Sequence, residues 1–171
     1  MAMIILIGPP CSGKDTWLKT YDHDLGNFYH YSPDAEIERL ALNDRLKYQD
    51  AWEMYKKWAY RGYEKEMQED FKEISYRHVV INKTNLTKKS REKYLSLMPR
   101  TNKVGIVFSA PIDILLKRSE ERAERPPLYK YIPPDVIQSM TNRFEMPTCD
   151  EGFDTIFSYN EFDLIREHAR Q

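Results

Sequence analysis

The sequence predicts an α/β fold, an open and mostly parallel sheet of four to five strands with helices on both faces. Three observations predict it. Short apolar runs alternate with segments of helical spacing along the chain, the pattern of βαβ units joined by right-handed crossovers. The first apolar run passes directly into a glycine-containing turn and then a helix, which is the context of a phosphate-binding loop. A length of 171 residues with 41% hydrophobic content fits one domain, residues 1–171, around one sizeable core.

Taken in order, Met3 to Ile7 reads as the first strand and Lys14 to Thr20 as the helix that follows. A weaker strand, Phe28 to Tyr31, leads into a helix over Asp34 to Leu42. Arg45 to Ser75 has helical spacing, and Trp52, Tyr55, Trp58, Tyr63, Met67 and Phe71 form a stripe along it. Such a stripe is read as core-facing rather than as a base-stacking platform, with Gly62 separating two helices. The remaining strands are Val79 to Ile81, Val104 to Phe108 and Thr155 to Phe157; the remaining helices are Lys88 to Leu97, Ile112 to Glu121, Pro134 to Phe144 and Phe162 to Ala169. Four prolines between Arg125 and Pro134 forbid a continuous helix there, so residues 119–134 are expected to carry an exposed loop or lid.

Composition narrows the function classes. The 26 Lys+Arg and 27 Asp+Glu nearly cancel, so any polyanion site must be local rather than a property of the bulk charge. Cys11 and Cys149 have neither zinc nor disulfide spacing, which points to a reducing, cytoplasmic setting. The opening apolar run lacks a basic flank and is too short to span a bilayer, so it reads as a buried strand and no membrane partner is expected. Histidines 23, 30, 78 and 168 show no metal-ligand spacing, and no G-x-S-x-G nucleophile elbow occurs.

Residues 8–16, Gly8-Pro9-Pro10-Cys11-Ser12-Gly13-Lys14-Asp15-Thr16, match the G-x-x-x-x-G-K core of a P-loop. Gly8 and Gly13 permit the tight wrap that turns successive backbone N–H groups inward, and the following helix adds its positive end. Lys14 would reach the β- and γ-phosphates of a nucleoside triphosphate. Asp15 stands where the pattern has a serine or threonine ligand to Mg²⁺; its carboxylate can hold the cation directly or through water, with Thr16 as the alternative hydroxyl.

With that loop placed, five segments give the chain its likeness: residues 4–17, 28–34, 79–86, 103–118 and 132–140. They resemble the T-even phage polynucleotide 5′-hydroxyl kinases, within the wider zeta-toxin-like group of P-loop kinases. The resemblance implies a kinase-type P-loop fold with an Arg/Pro-rich lid, and transfer of the γ-phosphate of ATP or another NTP, with Mg²⁺, to a hydroxyl of a nucleic acid. A polynucleotide 5′-OH is the first acceptor it implies; a hydroxymethyl-pyrimidine in phage-type modified DNA and a free nucleoside or nucleotide share the chemistry. An NTP-hydrolysing binding switch is the reading from another class, and a phage origin in a bacterial host fits the family.

The same resemblance makes Asp34 the general base, a place where a helix cap would also fit. It puts Thr84 and Asn85 at the acceptor end of the cleft, and Arg118, Arg122 and Arg125 over the triphosphate, where surface ion pairing with Glu120, Glu121 and Glu124 is the alternative. The family's acidic residue ahead of the Thr-Asn pair is Lys83 here, which suggests that Lys83 pairs with Asp15 to restore the local charge balance. The family's arginine soon after the catalytic aspartate is replaced by Ile37, with Arg39 nearby on another part of the helix.

Overall fold

A computed structural model describes residues 2–25, 28–70, 78–98 and 100–159. Five strands, β1 (Ala2–Ile7), β2 (Phe28–Tyr31), β3 (His78–Asn82), β4 (Asn102–Phe108) and β5 (Thr155–Tyr159), form one sheet in the order β2-β3-β1-β4-β5. Every pairing is parallel. The first strand sits in the middle and is buried on both faces, which explains why its sequence is an unbroken apolar run rather than an alternation.

Successive residues of β1 therefore feed two different cores. Met3, Ile5 and Ile7 pack with Val79, Ile81, Tyr31, Met67 and Tyr94 on one face, whereas Ile4 and Leu6 pack with Trp17, Leu18, Val80 and Phe108 on the other. Helix α1 (Lys14–Leu25) supplies Trp17 and Leu18 to the second core; α4 (Gly62–Asp70) and α5 (Lys88–Leu95) supply Met67 and Tyr94 to the first. A third cluster lies apart from the sheet, between α2 (Pro33–Asn43) and α3 (Tyr48–Ala59), and is built on Ile37, Ala41, Tyr48, Ala51 and Ala59.

The expected helical segment from Arg45 is two helices, α3 and α4, with the break at Tyr60 and Arg61 and Gly62 opening the second. A Cβ on Gly62 would meet the Trp58 ring at 2.7 Å, so the close approach of that indole needs glycine. The aromatic stripe is core-facing as expected, although divided: Trp52 and Tyr55 join the α2–α3 cluster, Tyr63 and Met67 the sheet core. Trp58 is the exception, 38% exposed and stacked on Tyr63. Phe71 and the expected helix Phe162 to Ala169 lie outside the described residues.

The segment read as an exposed lid is more structured than that. Helix α6 (Ile112–Ala123) carries Arg118 and Arg122, and the following loop runs to α7 (Pro134–Asn142). Arg125, Pro126 and Pro127 are exposed, but Lys130 is buried. The loop is held at two points: Ser119 Oγ donates to Ile132 O at 2.9 Å and accepts from Ile132 N, and Tyr48 N donates to Leu128 O at 3.0 Å. None of the described helices is long and apolar enough to cross a membrane.

The ends of β1 and β3 are locked together. Gly8 N donates to Thr84 O at 2.9 Å and Asn85 Nδ2 donates to Leu6 O at 2.8 Å. Asn85 has φ +47°, a left-handed conformation that asparagine tolerates better than most residues. Its carbonyl accepts from the buried Arg91, whose Nη1 also reaches Leu86 O and Glu145 O. The rest of the guanidinium forms a two-bond fork with Glu151 at 2.7 and 2.8 Å.

Arg91 is completely buried, so losing its charge should leave Glu151 and three carbonyls without their donor. An Arg91→Met variant is expected to lose about 3–5 kcal/mol of stability in urea unfolding at pH 7. Burial opposes the Glu151 charge, but the hydrogen bonds and charge of Arg91 outweigh it and hold that carboxyl below its ordinary 4.5. The pair's contribution is therefore present above that ordinary value and lost as pH falls through the depressed one. The variant's stability should fall less steeply than the wild type's over that acid range.

Candidate functional site

A cleft of about 720 Å³ opens at the carboxyl ends of the strands, lined by residues 10–16, by Ser32, Asp34 and Glu38 from the β2–α2 side, and by Asn82, Lys83 and Thr84 after β3. Arg118, Arg122, Arg125 and Lys130 also line it. Parallel strands put their ends on one edge, which is why residues far apart in sequence meet here.

Residues 8–13 wrap as the motif requires. Gly13 has φ +100° and Cys11 φ +63°. A Cβ on Gly8 would lie 2.5 Å from Phe108 O, so no larger residue fits where the loop leaves β1. Lys14 is buried, and its Nζ donates to Gly8 O at 2.9 Å, Pro9 O at 2.7 Å and Ser12 Oγ at 3.4 Å. Its hydrogen-bond partners are neutral oxygens, and burial pulls its pKa from 10.5 to about 8 against the opposing pull of Asp15 and Asp34. A desolvated cation of this kind is a fitting seat for a phosphate.

Asp15 is held by Asn82, whose Nδ2 donates to Oδ1 at 2.8 Å. Desolvation works to raise its pKa, but the Asn82 bond and then the charges of Lys14, Lys130 and Arg122 win, and the carboxyl lies below its ordinary range. An ionised carboxylate oxygen is a proper donor for Mg²⁺, so the donor chemistry fits that ion. The proposed partner is wrong, however. Lys83 Nζ instead donates to Tyr94 Oη at 2.8 Å and lies over the rings of Tyr60 and Tyr94. The side chain that answers Asp15 is one residue earlier.

Asp34 is not the helix cap. Ser32, in extended conformation with φ −144°, is the N-cap of α2 and its Oγ accepts from Ala35 N at 3.3 Å. Pro33 fills the first helical position, where a missing N–H costs nothing. The Asp34 carboxylate points to other partners: Oδ1 accepts from Tyr60 Oη at 2.5 Å, and Oδ2 lies 4.0 Å from Lys130 Nζ. Lys130 in turn donates to Glu38 Oε1 at 2.6 Å and sits over the Tyr48 ring.

The arginines do more than pair with neighbouring glutamates. Arg118 Nη1 donates to Cys11 O at 3.1 Å and Arg122 Nη1 to Cys11 Sγ at 3.6 Å, so α6 is tied to the phosphate loop. Arg122 Nη2 also comes within 4.0 Å of Glu38. Arg125 stands at the rim with its side chain 71% exposed, 3.6 Å from Glu121.

The structure thus gathers residues 10–16, Asp34, Thr84, Arg118, Arg122 and Arg125 around one cleft. Gly8 and Pro9 serve it through their carbonyls. Asn85 does not belong to that group: its amide is buried against Leu6, Ile81 and Lys83 carbonyls, and its part is structural. Glu38, Tyr60, Asn82 and Lys130 are among the cleft residues that had no assignment from the sequence. Asn82 had a signal, as the polar residue that closes the apolar run of β3; the others arrive by tertiary contact alone.

Comparison with known proteins places this geometry. Residues 3–147 match a family described as an AAA domain. An L-seryl-tRNA(Sec) kinase of Methanococcus maripaludis is 26% identical over 165 residues, covering 89% of this chain and 56% of that protein, so the chain spans about half the length of this curated relative. Among solved structures, Kti12 of Chaetomium thermophilum in complex with ADP-AlF3 superposes with a TM-score of 0.62 at 18% identity, covering 96% of this chain and 97% of that one. Shikimate kinase of Acinetobacter baumannii, bound to shikimate, gives 0.55 at 19% identity over 98% and 90% of the two chains. A fungal RNA kinase gives 0.55 at 13% identity, covering 93% of this chain and 38% of that one. These structural likenesses establish the kinase-type P-loop fold.

Lys14 should make polyphosphate binding pH-dependent in a known direction. A bound triphosphate favours the ammonium form, whereas the free protein begins to lose that proton near pH 8. Titration calorimetry between pH 7 and 9 is expected to show ATP affinity falling as pH rises through about 8, with buffer-dependent heats reporting proton uptake.

Proposed function

Because the chain belongs to this AAA-domain family of P-loop kinases, we propose that it transfers the γ-phosphate of ATP to a hydroxyl group carried by a nucleic acid, a polynucleotide 5′-OH first. The observation that carries this reading is the Asp34 carboxylate. It stands in the same cleft as the phosphate loop and is released from helix capping by Ser32. A hydrolytic switch needs only a positioned water, whereas a carboxylate facing a roomy cleft suits an acceptor hydroxyl.

In the reaction so proposed, the P-loop amides and Lys14 hold the β- and γ-phosphates. Asp15, oriented by Asn82, is the residue that would hold Mg²⁺, which would supply neutralising charge at the phosphates. Asp34 accepts the acceptor's hydroxyl proton as its oxygen bonds to the γ-phosphorus and the bond to the bridging β–γ oxygen breaks, leaving ADP. Arg118 and Arg122, already tethered to Cys11, lie where charge spreads over the transferring group. Thr84 lines the acceptor end.

A nucleic-acid acceptor is supported by the relatives named as an L-seryl-tRNA(Sec) kinase and an RNA kinase.

Incubation with γ-labelled ATP, Mg²⁺ and a panel of 5′-hydroxyl oligonucleotides, hydroxymethyl-pyrimidine DNA, nucleosides and nucleotides should put label on the 5′-hydroxyl oligonucleotides. Label found exclusively on hydroxymethyl-pyrimidine DNA or on a free nucleoside or nucleotide would overturn the 5′-end reading and keep the kinase. ATP hydrolysis with no labelled acceptor would leave the switch. Lys14→Ala should cost about two orders of magnitude or more in transfer. Asp34→Asn is expected to slow single-turnover transfer about 10²-fold or more with ATP affinity kept; an unchanged rate would remove Asp34 from the chemistry.

A further inference from the structure

Asp34 is on the first turn of α2, its side chain 43% exposed, and a carboxylate in that setting has several rotamers open to it. In this fold it is held in one. Tyr60 Oη donates to Oδ1 at 2.5 Å, a short bond of the charge-assisted kind. Tyr60 ends α3, and its ring is fixed by an edge contact with Trp52 at 5.6 Å.

The Tyr60 ring has a second neighbour, Lys83 Nζ at 5.1 Å from its centroid. Lys83 is itself anchored: it donates to Tyr94 Oη at 2.8 Å, and that hydroxyl donates to Glu64 Oε1 at 2.8 Å in the buried core. A line of contacts therefore runs from the interior to the cleft, Glu64 to Tyr94 to Lys83 to Tyr60 to Asp34. Burial first, and then the neighbouring Asp34 charge, drive the Tyr60 hydroxyl well above its ordinary range, so it stays a donor and does not compete as a base. With Oδ1 occupied by this bond, Oδ2, on the Lys130 side, is the oxygen left to accept a proton.

We infer that Tyr60, backed by Lys83, is the positioning residue for Asp34: it fixes one carboxylate oxygen so that the other meets the acceptor hydroxyl. The inference rests on the reading of Asp34 as general base. It gives the helical segment α3 and the strand-end Lys83 a part in the reaction without contact with the phosphate being transferred.

The test is a double-mutant cycle on Tyr60→Phe and Asp34→Asn, assayed by single-turnover transfer to a 5′-hydroxyl oligodeoxythymidylate or, where that takes no label, to whichever panel acceptor does. Tyr60→Phe keeps the ring against Trp52 and should lower the rate about 10-fold with ATP affinity unchanged. In the Asp34→Asn background the same change should cost almost nothing, because it acts through the carboxylate. Lys83→Met should show a smaller loss of the same kind, restored by Lys83→Arg. An undiminished Tyr60→Phe effect without Asp34, or a Tyr60→Phe enzyme at full rate, overturns the inference and leaves the base intact. An Asp34→Asn enzyme at full rate overturns both, as does the absence of any labelled acceptor. Urea-unfolding midpoints of the same four proteins give a readout that needs no acceptor: non-additive shifts are expected, and additive ones overturn the inference.

Discussion

The departure of the chain from β1 is the constraint on which the cleft depends. A central parallel strand ends with backbone groups that must be paired, and the chain must then reverse tightly enough to surround a phosphate. Here the Leu6 carbonyl is answered by the Asn85 amide and the Gly8 N–H by the Thr84 carbonyl, so β3's exit determines how the loop after β1 begins. Glycine is required at position 8 because Phe108 on β4 approaches from the other side. Arg91 stiffens the arrangement by bonding the carbonyls of Asn85 and Leu86 while pairing with Glu151, just ahead of β5. A buried guanidinium thus joins the far part of the chain to the strand ends that shape the phosphate loop.

Electrostatics follow from that scaffold. The loop buries Lys14 among neutral oxygens, which leaves it hungry for an anion. Around it every carboxylate is answered: Asp15 by the Asn82 amide, Asp34 by Tyr60 with Lys130 nearby, and Glu38 by Lys130 and Arg122. The arginines of α6 touch Cys11, so direct contacts tie that helix to the phosphate loop.

Local chemistry was readable and long-range chemistry was not. The phosphate loop announced itself because glycine, lysine and helix start are spaced within nine residues, and the inner strands β1, β3 and β4 because buried parallel strands are apolar runs. The break at Gly62 was legible for the same local reason. Misassignments arose where a side chain's direction decides its role. Asn85 is polar at a strand end, yet its positive φ turns the amide inward to the Leu6 carbonyl. Lys83 has charge complementary to Asp15, but a pair of tyrosine rings and a hydroxyl hold it elsewhere. Lys130 lies in a proline-rich loop that looks solvated, and only the packing of that loop on α2 and α3 reveals its burial. The competition between Ser32 and Asp34 for the cap turned on which oxygen reaches Ala35 N, a matter of two residues of register.

The α2–α3 unit has its own apolar centre, Ile37, Ala41, Tyr48, Ala51 and Ala59, and no strand residue contributes to it among those described. It reaches the cleft through few side chains, Asp34, Glu38 and Tyr60 among them. Such a unit can drift almost as a separate inheritance. Substitutions within its centre must compensate one another but need not be compatible with the sheet, so a lineage can reshape that side of the cleft while the phosphate loop is left unaltered. Divergence should accordingly be uneven along the chain, faster within α2 and α3, and slower at the strand ends and in α4, whose Met67 belongs to the sheet core.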